Sequence, residues 1–239
     1  MANSENTFGD RLGRARKMQE IITKFDPPFD PPNTALQPGN FDAFLQLIDA
    51  RNTLVATAGP ADSAAIALHA NWMETIKSRT TRVVDYVSSN EAWAQFFPGV
   101  KQAADKVRSY HPGANKKETP ASPGAPAKKK RKSGQQSYGD IDQWFEKVIE
   151  AVKLVPGYKP KPESNIQIAQ LTALLADYRQ SNKDAATTDA ALDSSQRSRK
   201  EGYDGAAGLR AKMKAIKKAV GAQYDRKRPE YASVASIAL

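Results

Sequence analysis

The chain has 239 residues, enough for one large domain or two small ones. Hydrophobic residues make up 40%, lean for a thick globular core, and the absence of cysteine excludes disulfides and cysteine-based metal sites. The formal net charge of +10 is unevenly placed: residues 111–137 carry seven Lys/Arg against one Glu, and residues 197–228 carry eleven against three acidic residues, so the remainder is net negative.

The first seven residues are polar and lack the basic and apolar blocks of a signal peptide. No apolar run approaches the roughly 20 residues that span a bilayer, so the expectation is a soluble cytoplasmic protein without a membrane partner. From Asp10, the spacing of Leu12, Ala15, Met18, Ile22 and Phe25 predicts a helix that ends at Asp26-Pro27-Pro28. Five prolines between 26 and 39 predict an extended connector, with Asn40 as the N-cap of a second helix. That helix turns Phe41, Phe44, Ile48 and Val55 inward and is expected to stop at Gly59-Pro60. Asp62 or Ser63 then caps a third helix on which Ile66, His69, Met73, Ile76, Thr80, Val83 and Val87 form a heptad seam. Helices two and three would make an antiparallel hairpin. Trp93, Phe96 and Phe97 read as an aromatic knot closing the bundle end, before a short helix holding Val100, Ala104 and Val107.

Residues 111–136 break all periodicity, and their low apolarity and like charges predict a disordered basic linker. A second unit begins near Ser137. Ile141, Phe145, Val148 and Val152 line its first helix, Pro160 and Pro162 its connector, and Ile168, Leu171, Leu175 and Tyr178 its next helix. Gly202, Gly205 and Gly208 predict a break, since each glycine costs a helix interior about 1 kcal/mol. Leu209, Met213, Ile216 and Val220 resume a core stripe, and Arg228-Pro229 starts a last turn with Tyr231 and Val234 inward.

Short motifs recur in order. Phe8-Gly9-Asp10 returns as Tyr138-Gly139-Asp140, Met18–Ile22 as Phe145–Ile149, and Pro28-Phe29-Asp30-Pro31 as Gly157-Tyr158-Lys159-Pro160. Leu47, Asp49 and Arg51 align with Leu175, Asp177 and Arg179, and Phe97-Pro98-Gly99-Val100 loosely with Tyr231-Ala232-Ser233-Val234. The expected fold is therefore an all-α, internally duplicated helical bundle of long antiparallel hairpins, with units at 1–110 and 137–239. Gln135–Tyr138, Pro156–Pro160 and Pro229–Val234, in that order, resemble a group of uncharacterised bacterial helical proteins. That resemblance implies two helical units and carries over no established activity, and the insert at 111–134 departs from it.

Catalytic chemistry finds few candidates. His69 sits on the heptad seam, where a core histidine is expected, and His111 precedes a Pro-Gly turn. Two histidines without cysteine or His-x-x-x-His spacing give no zinc site, and no nucleophile elbow, dinucleotide fingerprint or phosphate loop occurs. Asp42, Asp49, Asp177 and Glu201 lack the Glu-x-x-His pattern of carboxylate-bridged metal bundles. The expectation is a non-enzyme without cofactor or metal, a structural protein whose partner is itself or another protein. Trp93, Phe96, Phe97 and Tyr231 would act at the bundle ends. Duplicated surfaces would let copies join head to tail. The alternative is a non-specific nucleic-acid-binding protein. It would use Lys128, Lys129, Lys130, Arg131 and Lys132 together with a stripe of Arg210, Lys214, Lys217 and Lys218 as phosphate contacts. The run at 128–132 also has the form of a short nuclear import signal, a reading the bacterial resemblance disfavours.

Overall fold

The computed structural model describes residues 7–109 and 134–239, which hold seven α-helices and no strand. They are α1 (Phe8–Thr23), α2 (Pro38–Ser88), α3 (Phe97–Arg108), α4 (Gly134–Lys153), α5 (Ile168–Asp204), α6 (Leu209–Gln223) and α7 (Pro229–Ala235). The first starts on a capping box. The Thr7 hydroxyl accepts from the Asp10 amide at 3.2 Å, and the Asp10 carboxylate accepts from the Thr7 amide at 3.3 Å, satisfying two free donors. Asn40 is not an N-cap: it lies inside the first turn of α2, and its Nδ2 donates to the Thr34 carbonyl at 2.8 Å.

The expected hairpin of helices two and three is a single helix of 51 residues with Pro60 in its interior. Proline removes one backbone donor and costs about 3 kcal/mol, which would stop many helices. Here seven alanines lie between Asn52 and Met73, and alanine is the strongest helix former, so the flanking sequence carries the helix across. Asp62 therefore caps nothing; its carboxylate is buried and accepts from the Thr188 hydroxyl at 3.2 Å. Ile66, placed on the seam by its spacing, is 50% exposed, and Val55 is half-buried. The rest of the seam, from His69 to Val87, is buried as its period requires.

The chain forms two compact units, Met1–Ala61 with Ala190–Leu239, and Asp62–Asp189. They do not coincide with the two sequence halves, because each of the two longest helices gives one end to each unit. The expected linker lies outside the described residues up to 133, and Gly134–Gln136 already belong to α4. In the first unit, Leu12, Met18 and Ile22 of α1 pack with Phe41, Leu45 and Ile48 of α2, Tyr203 of α5, and Leu209, Met213, Ile216 and Val220 of α6. Tyr224 closes this core, its hydroxyl donating to the Pro27 carbonyl of the connector at 2.6 Å. In the second unit, Ile76, Val83 and Val87 of α2 pack with Val100, Ala104 and Val107 of α3, Phe145, Val148 and Val152 of α4, and Leu171, Leu175 and Tyr178 of α5. Here Trp93 does the closing, its Nε1 donating to the Pro156 carbonyl at 2.9 Å.

Leu47 is 48% exposed whereas Leu175, aligned with it by the sequence motifs, is buried. Phe41, Leu45 and Ile48 are buried, and so are the residues 130 further on, Leu171, Leu175 and Tyr178.

Candidate functional site

Two surfaces stand out, one by its lack of charge and one by its excess. Between Asn52 and Met73 of α2 the only charged side chain is the buried Asp62. Leu47, Leu54 and Leu68 lie on the outer side of this helix at 48%, 55% and 50% exposure, spaced by seven and fourteen residues. Ala50, Thr57, Ala61, Ala64 and Asn71, also exposed, fill the remaining positions of a three-four repeat. A leucine at such exposure retains apolar area that water disfavours, and three on one stripe make a patch rather than scattered surface residues. The positions of α5 that lie 130 residues on from this row are polar apart from Ala191 and include three exposed carboxylates, Asp177, Asp184 and Glu201.

The charged surface belongs to the first unit, whose residues 190–239 hold eleven Lys/Arg against five Asp/Glu. Part of it gathers around the junction of α5 and α6. Arg11 of α1 donates from Nη2 to Asp204 Oδ1 at 2.6 Å and to the Tyr203 carbonyl at 3.4 Å. Its guanidinium lies 5.2 Å from the Tyr203 ring centroid and 5.9 Å from that of Phe8. Arg199 stacks on the other ring partner, 4.6 Å from the Phe8 centroid, with its Nε buried and lacking a hydrogen-bond acceptor among the described residues. Tyr203 is fully buried and accepts from Asn52 Nδ2 at 2.8 Å; burial pushes its phenol above the ordinary value, so the O–H persists. The turn that makes this arrangement is built on glycine. A β-carbon at Gly208 would lie 2.9 Å from the Gly202 carbonyl, and one at Gly205 would lie 2.5 Å from the Glu201 carbonyl. The glycines end α5 as their spacing predicted, and Asp204 and Arg210 then line one cleft of about 290 Å³ with Arg11 and Leu239.

Of the cations chosen from sequence, Arg210, Lys214 and Lys218 are exposed on α6. Lys217 is half-buried and engaged within the chain. Its Nζ donates to the carbonyls of Ala235 and Ile237 at 2.9 and 2.5 Å, tying the end of α7 to α6. The side-chain period alone put it on the polar face, and the sequence had no means of showing that the C-terminal turn folds over it. Lys128–Lys132 and His111 lie outside the described residues. Among the bundle-end aromatics, Trp93 is buried against Tyr86 and Tyr158, with ring centroids 5.6 and 6.2 Å away, while Phe96, Phe97 and Tyr231 are half-buried against their cores. They are packing groups with little free surface.

His69 is buried, 4.9 Å from the Tyr178 ring, and hydrogen-bonded to Asn182. Burial pulls its basicity down, and the Asn182 contact only partly offsets this, so the ring stays neutral. Among the carboxylates considered for metal binding, Asp49 pairs with Arg16 at 3.0 Å and Asp42 accepts from Gln46 at 2.9 Å. Among the described residues no group of three His, Asp or Glu is placed to hold a metal, and no helix is long and apolar enough to cross a membrane. Sequence reasoning missed Arg11, Arg199 and the outer leucines of α2. The signal for the leucines was present: a charge-poor stretch repeating Leu47, Leu54, Ala61 and Leu68 at sevens, outside the inward row. Comparison with family models, with curated proteins and with solved structures returns no match.

Proposed function

We propose that this chain is a non-catalytic structural protein that self-associates through the outer face of α2. The observation that carries this is the row of exposed Leu47, Leu54 and Leu68 within a stretch whose only charge is buried. The row favours a second copy of itself in antiparallel register about Gly59. That register sets Leu54 against Ala64 and Leu68 against Ala50, a large residue against a small one each time, with no charge opposed. Because the outer face of α5 is charged, the two long helices do not offer equivalent surfaces. This favours a closed two-fold pair over head-to-tail growth.

The magnitudes call for a weak pair. A fully buried leucine is worth about 1.5–3 kcal/mol, and these are already half-covered, leaving about 1 kcal/mol each. Six of them give about 6 kcal/mol against an association cost of 4 kcal/mol or more, a surplus of at most about 2 kcal/mol, so the leucines alone place dimerisation weaker than millimolar and any tighter pair draws on the alanines between them. Light scattering of the 26.1 kDa chain across concentration should show mass rising toward twice that value, with Leu54→Glu holding it at the monomer. A wild-type monomer throughout the range would sink the proposal.

We further infer that the two units arose by duplication. Matched positions are buried in both: Met18 with Phe145 and Ile22 with Ile149 at a step of 127, Pro31 with Pro160 at 129. Leu209, Met213, Ile216 and Val220 match Ile76, Thr80, Val83 and Val87 at a constant 133. The step is constant over each matched stretch and changes from 130 to 133 within α2, where the other half carries the turn between α5 and α6, which supports one ancestral unit with connectors of altered length. The nucleic-acid reading keeps one specific support, the exposed Arg210, Lys214 and Lys218. Adding short duplex DNA to the scattering series tests it: mass that rises only with DNA, and falls again with salt, would favour it.

A further inference from the structure

We propose that residues 7–109 and 134–239 are complementary binding partners, and that a second copy of this chain supplies either half by reciprocal exchange. Each compact unit is assembled from both halves. In the first unit nine residues of the apolar core precede residue 110 and eight follow residue 133; in the second the counts are ten and eleven. The rows of α1 and the start of α2 are covered by Tyr203, Leu209, Met213, Ile216 and Val220. Those of α4 and the start of α5 are covered by Ile76, Val83 and Val87. Neither half completes a core alone. What joins the halves is thus two domain cores, each cut in two, which is the form of an obligate protein interface. The chain from 110 to 133 is their only covalent join. The same contacts form whether the covering half belongs to the same copy or to another, and that is the condition for exchanging elements between protomers.

Polar contacts between the halves select the opposite half over a like one. In the first unit Gln223 donates from Nε2 to the Pro28 carbonyl at 2.9 Å and accepts from the Asp30 amide at 3.2 Å, beside the Tyr224 bond to Pro27. The residues 133 positions earlier are Asn90 and Glu91, and an ionised Glu91 has no donor for the Pro27 carbonyl. In the second unit Trp93 holds the Pro156 carbonyl and packs on Tyr158, where the second half has Arg226 at the matching position. Exchange competes with pairing inside one chain, whose effective concentration is about millimolar. The parent chain therefore exchanges only near that concentration, and a chain whose own pairing is damaged exchanges far below it. The outer face of α2 takes no part, so exchange stands or falls independently of association through that face.

Two full-length variants test this, both also carrying Leu54→Glu to remove association through α2. Phe41→Asp damages the first unit from the first half and Ile216→Asp from the second; both parent side chains are fully buried. Each variant alone should lose the native amide resonances of α1 and α6 and keep those of α3 and α4. The two are mixed in urea and refolded together at about 50 μM, far below the effective concentration within a chain. Exchange sets the intact first half against the intact second half, so one native first unit forms for every two chains. Its resonances should return at about half the parent intensity, in particles of twice 26.1 kDa. A mixture without them would overturn the proposal. A second measurement needs no core substitution. In the Leu54→Glu chain, one batch carries a donor dye on Thr23→Cys and another an acceptor on Lys227→Cys, both exposed near the contact of Phe25 with Tyr224. Batches refolded together at about 1 mM should show energy transfer that batches refolded apart and then mixed do not, and equal transfer in the two would overturn exchange.

Discussion

Gly202 sets two physical effects against each other, and the geometry decides which wins. The residue lies in the last turn of α5, where alanine is intrinsically better than glycine by about 1 kcal/mol. A β-carbon there would meet Arg51 Nη1 at 2.6 Å and Ile48 Cδ1 at 2.7 Å. Both are roughly 1 Å inside ordinary contact, and Ile48 is fully buried, so it has no free space to yield. Overpacking of this kind costs about 1–3 kcal/mol. Moving Arg51 also threatens its bond to the Ser198 carbonyl at 3.1 Å, worth about 0.5–1.5 kcal/mol. Steric cost exceeds propensity gain, and Gly202→Ala should destabilise by about 1–3 kcal/mol net. Gly13→Ala is the matched control, in the interior of α1 within the same unit, with nothing within 4 Å of the added carbon. It should stabilise by about 0.5–1 kcal/mol. Urea unfolding of both variants beside the parent, followed by tyrosine fluorescence in the first unit, measures the pair. Equal stabilisation by the two alanines would refute the packing argument and show that Arg51 swings away at no cost.

His69 should make the second unit acid-sensitive. Its folded basicity lies below the ordinary 6.5 because burial disfavours the charged ring, so the unfolded chain takes up the proton first. Stability is complete above about pH 6.5 and falls below it, by up to about 1.4 kcal/mol per pH unit, until the folded form also protonates. Urea midpoints between about pH 7.5 and 5 should fall, and His69→Gln should flatten that slope; an unchanged slope would mean that the ring is not the responsible group. Lys217→Met keeps the stem but leaves the Ala235 and Ile237 carbonyls unsatisfied, at a cost of about 1–3 kcal/mol. Amide exchange should quicken across 229–237 and not in α4, and unchanged protection there would return Lys217 to the solvent face.

Helical period was enough to identify nearly every core residue of α1, α4 and α6, because each of those helices buries a single narrow row. It failed where a residue's local preference opposed its neighbours. Gly59-Pro60 has the form of a stop, and no local signal weighs one proline against the seven alanines between Asn52 and Met73. The compact units also divide each of the two longest helices, which no reading that cuts α2 at Gly59-Pro60 can show. The recurring motifs align α2 with α5 at one register by residue identity and at another by burial. Leu47, Asp49 and Arg51 match by identity at a step of 128, whereas burial demands 130. The cleft was unreadable for another reason: Arg11 and Arg210 are 199 residues apart, and nothing local relates them.

The corrected register exposes a divergence between the proposed duplicates. At a step of 130, Asp49 of α2 corresponds to Arg179 of α5. Asp49 pairs with Arg16 of α1 at 3.0 Å, while Arg179 pairs with Asp142 and Glu146 of α4 at 2.7 and 2.9 Å. The bridge between short and long helix is thus kept with its signs reversed. Each partner is substantially exposed in the first pair, and such bridges contribute only about 0–1 kcal/mol to stability. Their value lies in discrimination. If α1 docked on the opening turns of α5, Arg16 would face Arg179; if α4 docked on α2, Asp142 and Glu146 would face Asp49. If the two hairpins are copies of one another, as proposed above, their nearly interchangeable apolar rows invite that exchange, and like-charge repulsion at the wrong pairing would disfavour it at little cost to the right one. The outer faces follow the same logic in reverse: α5 keeps its charges and stays solvated, and α2, stripped of them, is left as the surface on which a second copy can lie.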